Sequence, residues 1–523
     1  MTEIKEEPFK ADYRKVAKNT IYLYIRMMLS MFVSLYTSRL IFQALGVEDY
    51  GVMNVVGGVL GLFTFFNGTL TSGTQRFMSI AIGRGDIEET KRVFSATLTI
   101  HVIIAIIVCT LTEIVGLYFI YNKLIIPADR LYAALWLFHL SVLSLLINLS
   151  QVPFDAMLIA REKMNVYAYM GIYNVSVSLI VALLITYINH FDKLILYCTF
   201  GFIGSLLGLI IIRTYCILNF QEARFRFGWD KKLYKEILNF SGWNIIGVMA
   251  YTGSQEGVNV LLNMFFSTVV NAARGISMQV SGWTTKFVGD FQAALNPQIT
   301  KSYAIGNIGD MWKLTKDGSK YSGFLVIILG LPIWLEVEPL LHLWLGEVPE
   351  HTIAFSRIVI IQSYIITLSR PLVTVVHATG RMKLPNLING TVLLLIVPIT
   401  YVLLRMGISP EAAFVVNVFP WVFQITAELY IVRYYTHINA NEYWKEVIFK
   451  NLMIILFSFP IPTFIHLYWD GKGVVKSITV ISVSLLITAF NMYFFGIDKN
   501  LKNKIKNYIT YKIPYIIVKI LHK

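Results

Sequence analysis

Fourteen long apolar runs divide the sequence and leave only short polar stretches between them. They lie near 19–44, 50–71, 93–121, 131–160, 165–189, 194–219, 236–265, 268–295, 318–345, 353–378, 385–406, 411–436, 447–468 and 474–497. A helix needs about 20 mostly apolar residues to cross the roughly 30 Å of hydrocarbon in a bilayer. These runs are far too long for barrel strands, and an open sheet edge cannot face lipid. The sequence therefore predicts an all-α polytopic membrane protein with 14 transmembrane helices.

Composition favours the same fold class. Apolar residues make up 56% of the 523 residues and charged residues 15%, and the mean hydropathy is +0.62. A soluble domain carries about 25% charged residues, so a soluble multidomain enzyme and a disordered chain are excluded. The three cysteines, Cys109, Cys198 and Cys216, lie singly in apolar runs without disulfide or metal-ligand spacing. No cleavable signal peptide is predicted, because the polar start leads into an apolar run too long for an h-region.

Lysine and arginine are distributed unevenly between the two sides of the predicted membrane. With both termini in the cytoplasm, the inner segments hold 32 of these residues and the outer turns hold six. Six acidic residues, Glu48, Asp49, Glu336, Glu338, Glu347 and Glu350, are assigned to the outer side. One miscounted span would invert every later loop, so the asymmetry supports fourteen spans with both ends inside. The net charge of +14 is then explained by anionic lipid rather than by nucleic acid.

Three motifs recur in the same order and indicate an internal duplication. AIGRGD at 81–86 recurs as AIGNIGD at 304–310, and Gly51 and Gly58 match Gly275 and Gly282. Pro153 in LSQVPFDAMLIAREKM aligns with Pro371 in LSRPLVTVVHATGRM. Each copy has six spans, an even number, so the two copies are predicted to be parallel repeats that form two six-helix lobes.

This repeat sets the predicted domain organisation. The segments are a cytoplasmic N-terminal segment 1–18, a first lobe 19–219, a basic linker 220–235, a second lobe 236–437, two further helices in 438–497 and a basic tail 498–523. The tail is predicted to lie at the membrane interface, and contact with a partner protein is the alternative.

Charged residues inside the predicted spans mark candidate sites. A charge near the bilayer centre costs about 2.5–3.5 kcal/mol on insertion scales, so it should face a partner or a wet cavity. Three helices also carry polar stripes at helical spacing. The stripes are Arg26, Ser30, Ser34 and Thr37, then Thr252, Gln255, Glu256, Asn259 and Asn263, then Arg274, Ser277, Ser281 and Thr285. A polar cleft between two lobes would use these faces.

Seven charged residues in the predicted spans are candidates for function. Arg26, Arg39, Arg274, Lys286 and Arg370 are candidates for binding an anionic headgroup, and Glu256 and Asp290 for coupling to a proton or ion. Arg39 lies near the outer end of its helix and is equally able to reach the headgroups. Lys286 and Asp290 are four residues apart and can form an ion pair within one helix.

Two other carboxylates in the spans are interpreted as structural. Asp155 lies two residues after Pro153 and is expected to bond backbone groups that the proline frees. Glu113, in an otherwise apolar stretch, is expected to pair with an arginine of a neighbouring helix.

Catalytic signatures are absent from the sequence. There is no GxxxxGK[ST] phosphate loop, HExxH or nucleophile elbow, and the nine histidines are scattered singly. Neither a metal nor a cofactor is predicted. Because no predicted loop is long enough to form a domain, the sequence favours a protein without enzymatic activity.

Several blocks resemble the polysaccharide (O-antigen type) flippases of the MATE-like, or MOP, transporter superfamily. They are KNTIYLYIRMM, SRLIFQALGVEDYGVMNVVGGV, TQRFMSIAIGRGD, QVPFDAMLIAREKMNVYAYM at 151–170 and HATGRMKLPNLINGTVLLL at 377–395. The resemblance covers essentially the whole chain and is strongest to Bacteroidetes members. It implies two six-helix lobes, with two additional C-terminal helices in some members. It also implies transfer of undecaprenyl-pyrophosphate-linked oligosaccharides from the inner to the outer leaflet of the cytoplasmic membrane, with cationic cavity residues binding the pyrophosphate.

Three other functions are weighed against this one. A flippase for the peptidoglycan lipid precursor and a MATE-like exporter of cationic drugs would have the same helices, but the exporter would need a cavity rich in acids. A polysaccharide polymerase would need a sizeable outer loop, and every outer turn here is short. The expected partners are the lipid-linked oligosaccharide, membrane lipids, a polysaccharide polymerase and glycosyltransferases. No nucleic acid is expected, and the protein is expected to be a monomer. The sequence identifies neither the glycan nor the coupling ion.

Overall fold

The computed structural model of the chain describes residues 13–63, 74–75, 77–79, 81–82, 85–161, 163–226, 228, 230–381, 383–469, 473–498 and 502–503. Some side chains on these helices, among them those of Arg26 and Asp290, lie outside the described residues, as do most of the predicted segments 1–18 and 498–523. Across the part that is described, the chain is helical and contains no strand. The predicted all-α fold class is therefore confirmed.

The helices follow one another along the chain with short connections. They are α1 Tyr13–Gly61, α2 Ile87–Asn122, α3 Leu131–Ala160, α4 Met164–Tyr187, α5 Lys193–Asn219, α6 Lys231–Phe265, α7 Thr268–Ala304, α8 Ile308–Leu335, α9 Val337–Leu345, α10 Thr352–Ala378, α11 Lys383–Arg405, α12 Glu411–Thr436, α13 Ala440–Tyr468 and α14 Gly473–Gly496. Helix α13 contains a π-helical segment at Trp444–Phe449, and α14 ends in another at Met492–Gly496.

Ten of the described helices, α2–α5, α8 and α10–α14, are long and apolar enough to cross a membrane. The protein is therefore a multi-pass membrane protein. The other four predicted spans, 19–44, 50–71, 236–265 and 268–295, begin on α1, α6 and α7 and include residues whose side chains lie outside the described part, so they are not among these ten. The count of fourteen spans remains a prediction.

A kink in α1 joins the first two predicted spans. Gly46 has φ 76° and ψ 175°, and helix continues on both sides of it. The left-handed φ is accessible to glycine without strain, because glycine has no Cβ. The expected outer turn between residues 44 and 50 is therefore a kink at one residue rather than a loop.

Within the fold, the chain divides into two compact units. The first contains 1–53, 70–115 and 128–238, and the second contains 54–69, 116–127 and 239–523. The core of the first unit includes Phe94, Phe154 and Met157, all nearly inaccessible to solvent. One core of the second unit includes Phe355 and Phe414, whose rings stack with centroids 4.0 Å apart. The predicted lobes 19–219 and 236–437 remain a prediction.

The two motif copies begin helices in the same way. Gly85 has φ 72° and precedes Asp86, whose carboxylate accepts from the backbone N–H of Glu89 at 2.9 Å. Gly306 has φ 76° and precedes Asn307, whose side chain accepts from the backbone N–H of Asp310. A glycine in the left-handed region followed by an Asp or Asn cap ends one helix and starts the next. The local structure thus repeats along with the sequence.

The last two helices are tied to α8 at both of its ends. Near its start, Lys316 bonds Glu442 and Glu446, and Lys320 bonds Asp498. At its end, the buried carboxylate of Glu336 accepts from His466 and Ser477, at 2.6 and 2.7 Å. Between these two sets of contacts, α8 and α13 approach closely at Gly323. A Cβ on Gly323 would lie 2.2 Å from Oδ1 of Asn451, so only glycine fits there without a shift. Helices α13 and α14 are therefore integral parts of the second unit.

Candidate functional site

The structure describes the side chains of four of the five predicted cationic residues. The Arg26 side chain lies outside the described residues, and Arg39 is half-buried on α1 in the first unit. Arg274 is buried on α7, whereas Lys286 on α7 and Arg370 on α10 are exposed. The guanidinium of Arg370 lies beside α7. Its Nη1 is 4.0 Å from the position that a Cβ on Gly289 would occupy.

Arg370 lines a polar cavity of about 440 Å³ within the second unit, between α6, α7, α10 and α12. We call it the Arg370 cavity. Its hydroxyl and amide side chains are Ser281, Thr285, Gln292, Asn296, Ser363, Ser369, Thr374 and Gln424. Tyr251 and Trp421 supply aromatic surface, with ring centroids 6.0 Å apart, and His377 lies at the end of α10.

Helical spacing explains why α10 contributes so much to this cavity. Ser363, Arg370, Thr374 and His377 recur at intervals of three, four or seven residues and share one face. Ile360, Ile361, Tyr364 and Ile365 lie on another face, where they line a predominantly apolar groove of about 490 Å³ together with α8 and α13. One helix thus has a polar cavity on one side and an apolar groove on the other.

Three buried polar atoms in the wall of the Arg370 cavity lack hydrogen-bond partners among the described residues. They are Oε1 of Gln292, Oε1 of Gln424 and Nε1 of Trp421. The amide nitrogen of Gln292 is fixed, because it donates to Ser322 Oγ at 3.0 Å and Thr367 O at 2.9 Å. A buried polar group without a partner is costly, so two acceptors and one donor remain for a ligand or water.

The charge of this cavity has one sign. Its described lining residues include Arg370 and His377 but no aspartate or glutamate. An arginine guanidinium binds a phosphate through two parallel charge-assisted hydrogen bonds and stays ionised at physiological pH. The cavity therefore favours a neutral or anionic ligand over a cationic one.

Arg274 and Glu256 belong to a second polar cluster, closer to the adjoining ends of α6 and α7. Arg274 donates from Nη2 to Gln255 O at 2.8 Å, and Glu256 and Tyr251 are its ionisable neighbours. Asn259 donates to Oε2 of Glu256 at 3.3 Å. The guanidinium of Arg274 is thus partly used in holding α6 against α7, while its Nε has no partner among the described residues.

Asparagines extend this cluster to the part of α1 that belongs to the second unit. Asn259 donates to Asn54 O at 3.0 Å, and Asn271 donates to both oxygens of Asn259 at 2.9 Å. Asn263 exchanges hydrogen bonds with the backbone N–H and C=O of Ile125. We call these four asparagines, together with Glu256 and Arg274, the asparagine cluster.

Structure corrects one sequence expectation and supplies residues that were missed. Glu113 pairs with His139 on α3, with Nδ1 3.1 Å from Oε1, rather than with an arginine. Sequence alone did not reveal which neighbour faces Glu113. Gln292, Gln424 and Trp421 are not among the predicted site residues, all of which are charged. An uncharged amide in an otherwise apolar span needs a hydrogen-bond partner, and this signal could have identified Gln292 and Gln424.

No family model matches the sequence, and no curated protein matches it. Solved structures do match. An inward-facing multidrug resistance MATE family transporter of the MOP superfamily matches with TM-score 0.62 and 13% identity, over 79% of this chain and 98% of that chain. The lipid II flippase MurJ, in an inward closed conformation, matches with TM-score 0.66 and 14% identity, over 91% of this chain and 98% of that chain.

A third similar structure is a MOP superfamily transporter from Pyrococcus furiosus, for which a reverse polarity of the binding pocket suggests a different function. It matches with TM-score 0.56 and 12% identity, over 80% of this chain and 95% of that chain. At these identities the matches show the fold: this chain has the fold of MOP superfamily transporters. None of the three similar structures is that of an enzyme.

Proposed function

We propose that this protein is a transporter that flips an undecaprenyl-pyrophosphate-linked oligosaccharide, an O-antigen, capsule or other surface polysaccharide repeat unit. It moves this lipid from the inner to the outer leaflet of the bacterial cytoplasmic membrane by alternating access. The observation that carries the proposal is the Arg370 cavity. It combines one cationic side chain, unpartnered amide oxygens and aromatic surface, without a carboxylate among its described lining residues.

These groups match the polar part of such a lipid. Arg370 provides charge-assisted hydrogen bonds for a pyrophosphate oxygen, and Arg26, Arg39, Arg274 and Lys286 are proposed as further contacts. Gln292 and Gln424 accept hydrogen bonds from sugar hydroxyls, and Trp421 Nε1 donates one. At about 4 Å and an effective dielectric near 20, one arginine–phosphate pair gains on the order of 4 kcal/mol before desolvation.

The apolar groove between α8, α10 and α13 supports an amphiphilic substrate. It is lined by side chains such as Ile361, Leu452 and Phe459, with no exposed polar surface. A polyprenyl chain has the same chemistry and would occupy the groove while its headgroup crosses. The membrane potential favours the movement, because carrying about two negative charges outward across the full field gains roughly 4–5 kcal/mol per 100 mV.

The proposed architecture has fourteen spans, two parallel six-helix lobes, two C-terminal helices and both termini in the cytoplasm. The flippase covers 91% of this chain, against 79% for the inward-facing MATE transporter. The difference leaves room for the two helices after residue 437. Proposed coupling residues are Glu256 and Asp290, and proposed partners are membrane lipids, a polymerase and glycosyltransferases.

Deletion of the gene in its host, followed by lipid analysis, tests this function. We expect undecaprenyl-linked oligosaccharide to accumulate and the surface polysaccharide to disappear. The wild-type gene should restore the polysaccharide, and Arg370→Ala should restore it poorly with normal protein abundance. Arg405→Ala is the matched control, because Arg405 is exposed at the end of α11 and is predicted to face outside. Unchanged lipid-linked sugar after deletion would reject the proposal.

The second candidate is a flippase for the peptidoglycan lipid precursor, favoured by the match to the lipid II flippase over 91% of the chain. It predicts arrest of cell-wall synthesis after deletion, rather than loss of one surface polysaccharide. Cationic drug export is disfavoured by the lack of carboxylates among the described lining residues of the Arg370 cavity. It predicts altered drug resistance in the deletion strain.

A further inference from the structure

A further cavity lies within the second unit, where α12 ends and α13 begins, and has a volume of about 770 Å³. Its polar and aromatic lining residues are Tyr430, Arg433, Tyr434, His437, Asn439 and Asn441. We call it the Arg433 cavity. No role in transport has been assigned above to any of these residues.

The last two turns of α12 bring four of these side chains together. Tyr430, Arg433, Tyr434 and His437 stand at helical spacing and share one face. Helix α12 ends at this face because His437 has φ 56° and ψ 26°, and its backbone N–H donates to the carbonyl of Arg433. Histidine and asparagine are enriched among the residues other than glycine that adopt this left-handed conformation. The wall of the cavity is thus built by a regular helix and its cap.

The charge of the Arg433 cavity is positive. Arg433 and His437 are its basic residues, and its described lining includes no aspartate or glutamate. Among the described residues, neither of these two side chains has a hydrogen-bond or ion-pair partner. The nearby carboxylate of Glu442 is directed to α8, where it accepts from Lys316 at 2.6 Å and from Trp312 at 3.1 Å. The cavity therefore offers an uncommitted guanidinium and an uncommitted imidazole.

This cavity lies at a surface of the membrane. Both α12 and α13 are long and apolar enough to cross it, so the short connection 437–439 must lie at one face of the bilayer. Tyr430 and Tyr434 are 69% and 64% exposed, and tyrosine is enriched at the level of the lipid headgroups. Tyr434 also packs edge-on against the ring of Tyr435, with centroids 5.2 Å apart. The aromatic wall is therefore placed where headgroups and the first part of the acyl chains lie.

The Arg433 cavity is separate from the Arg370 cavity. Gln424 and Arg433 are nine residues apart on α12, which is about 180° around the helix at roughly 100° per residue. Trp421 and Tyr430 stand in the same relation. The two cavities thus use opposite faces of α12, and a ligand in one leaves the other free.

An anionic phospholipid matches the groups of the Arg433 cavity. A guanidinium binds phosphate oxygens through parallel charge-assisted hydrogen bonds, and an imidazole donates an N–H in either protonation state. The side-chain oxygen of Asn439 already accepts from the N–H of Asn441, which leaves its amide N–H groups for headgroup oxygens. Basic pockets between membrane helices bind anionic headgroups in this way. A zwitterionic headgroup fits less well, because no carboxylate lines the cavity to meet its ammonium group.

We propose that the Arg433 cavity binds the phosphate group of one anionic phospholipid of the phosphatidylglycerol class. Arg433 and His437 are the phosphate ligands, and Tyr430 and Tyr434 pack along the glycerol and the upper acyl chains. This lipid is held at the junction of α12 and α13 and is not the transported substrate. The inference goes beyond the proposed function, and failure of that function would leave this site untouched.

Thermal unfolding of the purified full-length protein in detergent tests the site, because a ligand that binds only the folded state raises Tm in a saturable manner. Dioleoyl phosphatidylglycerol should raise Tm more than equal amounts of dioleoyl phosphatidylcholine. Inorganic phosphate at matched ionic strength should leave Tm unchanged, which separates a lipid from a soluble phosphate compound as the ligand. Native mass spectrometry should show one phosphatidylglycerol retained by each protein.

Substitutions locate the binding. Arg433→Ala should weaken phosphatidylglycerol binding about tenfold, the loss expected for one charge-assisted hydrogen bond, and Arg433→Lys should weaken it less. His437→Asn should also weaken binding while keeping the left-handed backbone, which asparagine tolerates. Arg224→Ala is the matched control and should bind as the wild type does, because Arg224 is an exposed arginine of the first unit.

Three results would overturn the proposal. Equal rises in Tm with the two lipids would mean that no anionic headgroup is recognised. A saturable rise with inorganic phosphate that blocks the effect of phosphatidylglycerol would mean that the ligand is a soluble phosphate compound. Wild-type affinity in both Arg433→Ala and His437→Asn would place the lipid elsewhere, and if Arg433→Ala does not fold, Arg433→Lys and His437→Asn decide.

Discussion

At the scale of single residues, contacts distinguish arginines that hold helices together from one that remains available. Arg130 is held by two carboxylates, with Nη2 2.6 Å from Asp49 and Nη1 2.7 Å from Asp192. Arg274 is buried and donates to a backbone carbonyl. Arg370 is exposed to a cavity. Of these three arginines, Arg370 is therefore the one best placed to bind a substrate.

Asp192 allows a pH-dependent prediction at this scale. It caps α5 by accepting from the backbone N–H groups of Leu194 and Ile195. Although burial opposes ionisation, the hydrogen bond from Arg130 and the backbone bonds hold the pKa of Asp192 below its usual value of 3.8. Asp192→Asn keeps a cap acceptor but loses the charge, and should lower the free energy of unfolding by about 1–2 kcal/mol at neutral pH.

The pH dependence of that difference follows from the direction of the shift. A lowered folded-state pKa contributes stability that is complete above the unfolded value and is lost as the pH falls through the folded value. The gap between wild type and Asp192→Asn should therefore be constant between about pH 5 and 8 and shrink below about pH 4. Chemical denaturation in detergent at each pH measures it. Asp129→Asn, at an exposed residue, should show no gap, and a gap that widens in acid would contradict the assignment.

At the scale of helices, the sequence predicted most of the elements and missed features set by one residue or by a distant contact. The lengths of the apolar runs predicted where the long helices lie, because backbone that is buried in lipid must form its hydrogen bonds within a helix. At Gly46 the sequence predicted a turn between two helices, whereas the structure has a kink. A glycine with polar neighbours is compatible with either. The ties from Glu336 to α13 and α14 join residues more than 100 positions apart, which no local pattern reveals.

Gly46 and Gly57 offer a matched pair of substitutions on α1. Gly46 has a left-handed φ, whereas Gly57 is helical and exposed, and neither would place a Cβ within 4 Å of another group. Gly46→Ala should lower the free energy of unfolding by about 1 kcal/mol or more, because alanine resists this φ. Gly57→Ala should be neutral or raise it, since alanine favours helix. Thermal unfolding measures both, and equal effects would exclude a special role for the kink.

Glu336 tests how α13 and α14 are attached. Its carboxylate is 2% exposed and bonds both His466 and Ser477. Glu336→Ala removes the acceptor used by the buried Ser477 and the partly buried His466, and should lower the free energy of unfolding by about 2–4 kcal/mol. Glu338→Ala, two residues away and exposed, is the control and should stay within about 0.5 kcal/mol of wild type. Limited proteolysis should also cut the Glu336→Ala variant faster between α12 and α13.

At the scale of the whole molecule, the sequence predicted the transporter fold but only part of the candidate site. The charge asymmetry and the repeat extend over the whole chain, so a prediction based on them does not depend on the exact bounds of any one helix. The Arg370 cavity could not be predicted beyond Arg370 itself, because its amides and aromatics come from four helices and resemble ordinary packing residues. Segments 54–69 and 116–127 belong to the first half in sequence and to the second unit in structure, a grouping visible only from contacts.

That grouping leads to a prediction about the transport cycle. Asn54 and Gly275 meet closely, since a Cβ on Gly275 would lie 2.3 Å from Oδ1 of Asn54. Both residues lie toward the predicted outer side, where the asparagine cluster joins α1 to α6 and α7. Alternating access requires a path to the outer leaflet, so these contacts should break once in each cycle.

A disulfide at this point should therefore stop transport. With Asn54→Cys and Gly275→Cys combined, the Cβ atoms fall near the separation of about 3.5–4.5 Å that a disulfide needs. Oxidation of the double variant should abolish restoration of the surface polysaccharide in the deletion strain, and a reductant should recover it. Each single variant should be insensitive to oxidant, which separates locking from loss of the side chain. Wild-type transport by fully cross-linked protein would mean that the substrate leaves by another route, because a covalent bond at this contact forbids its separation.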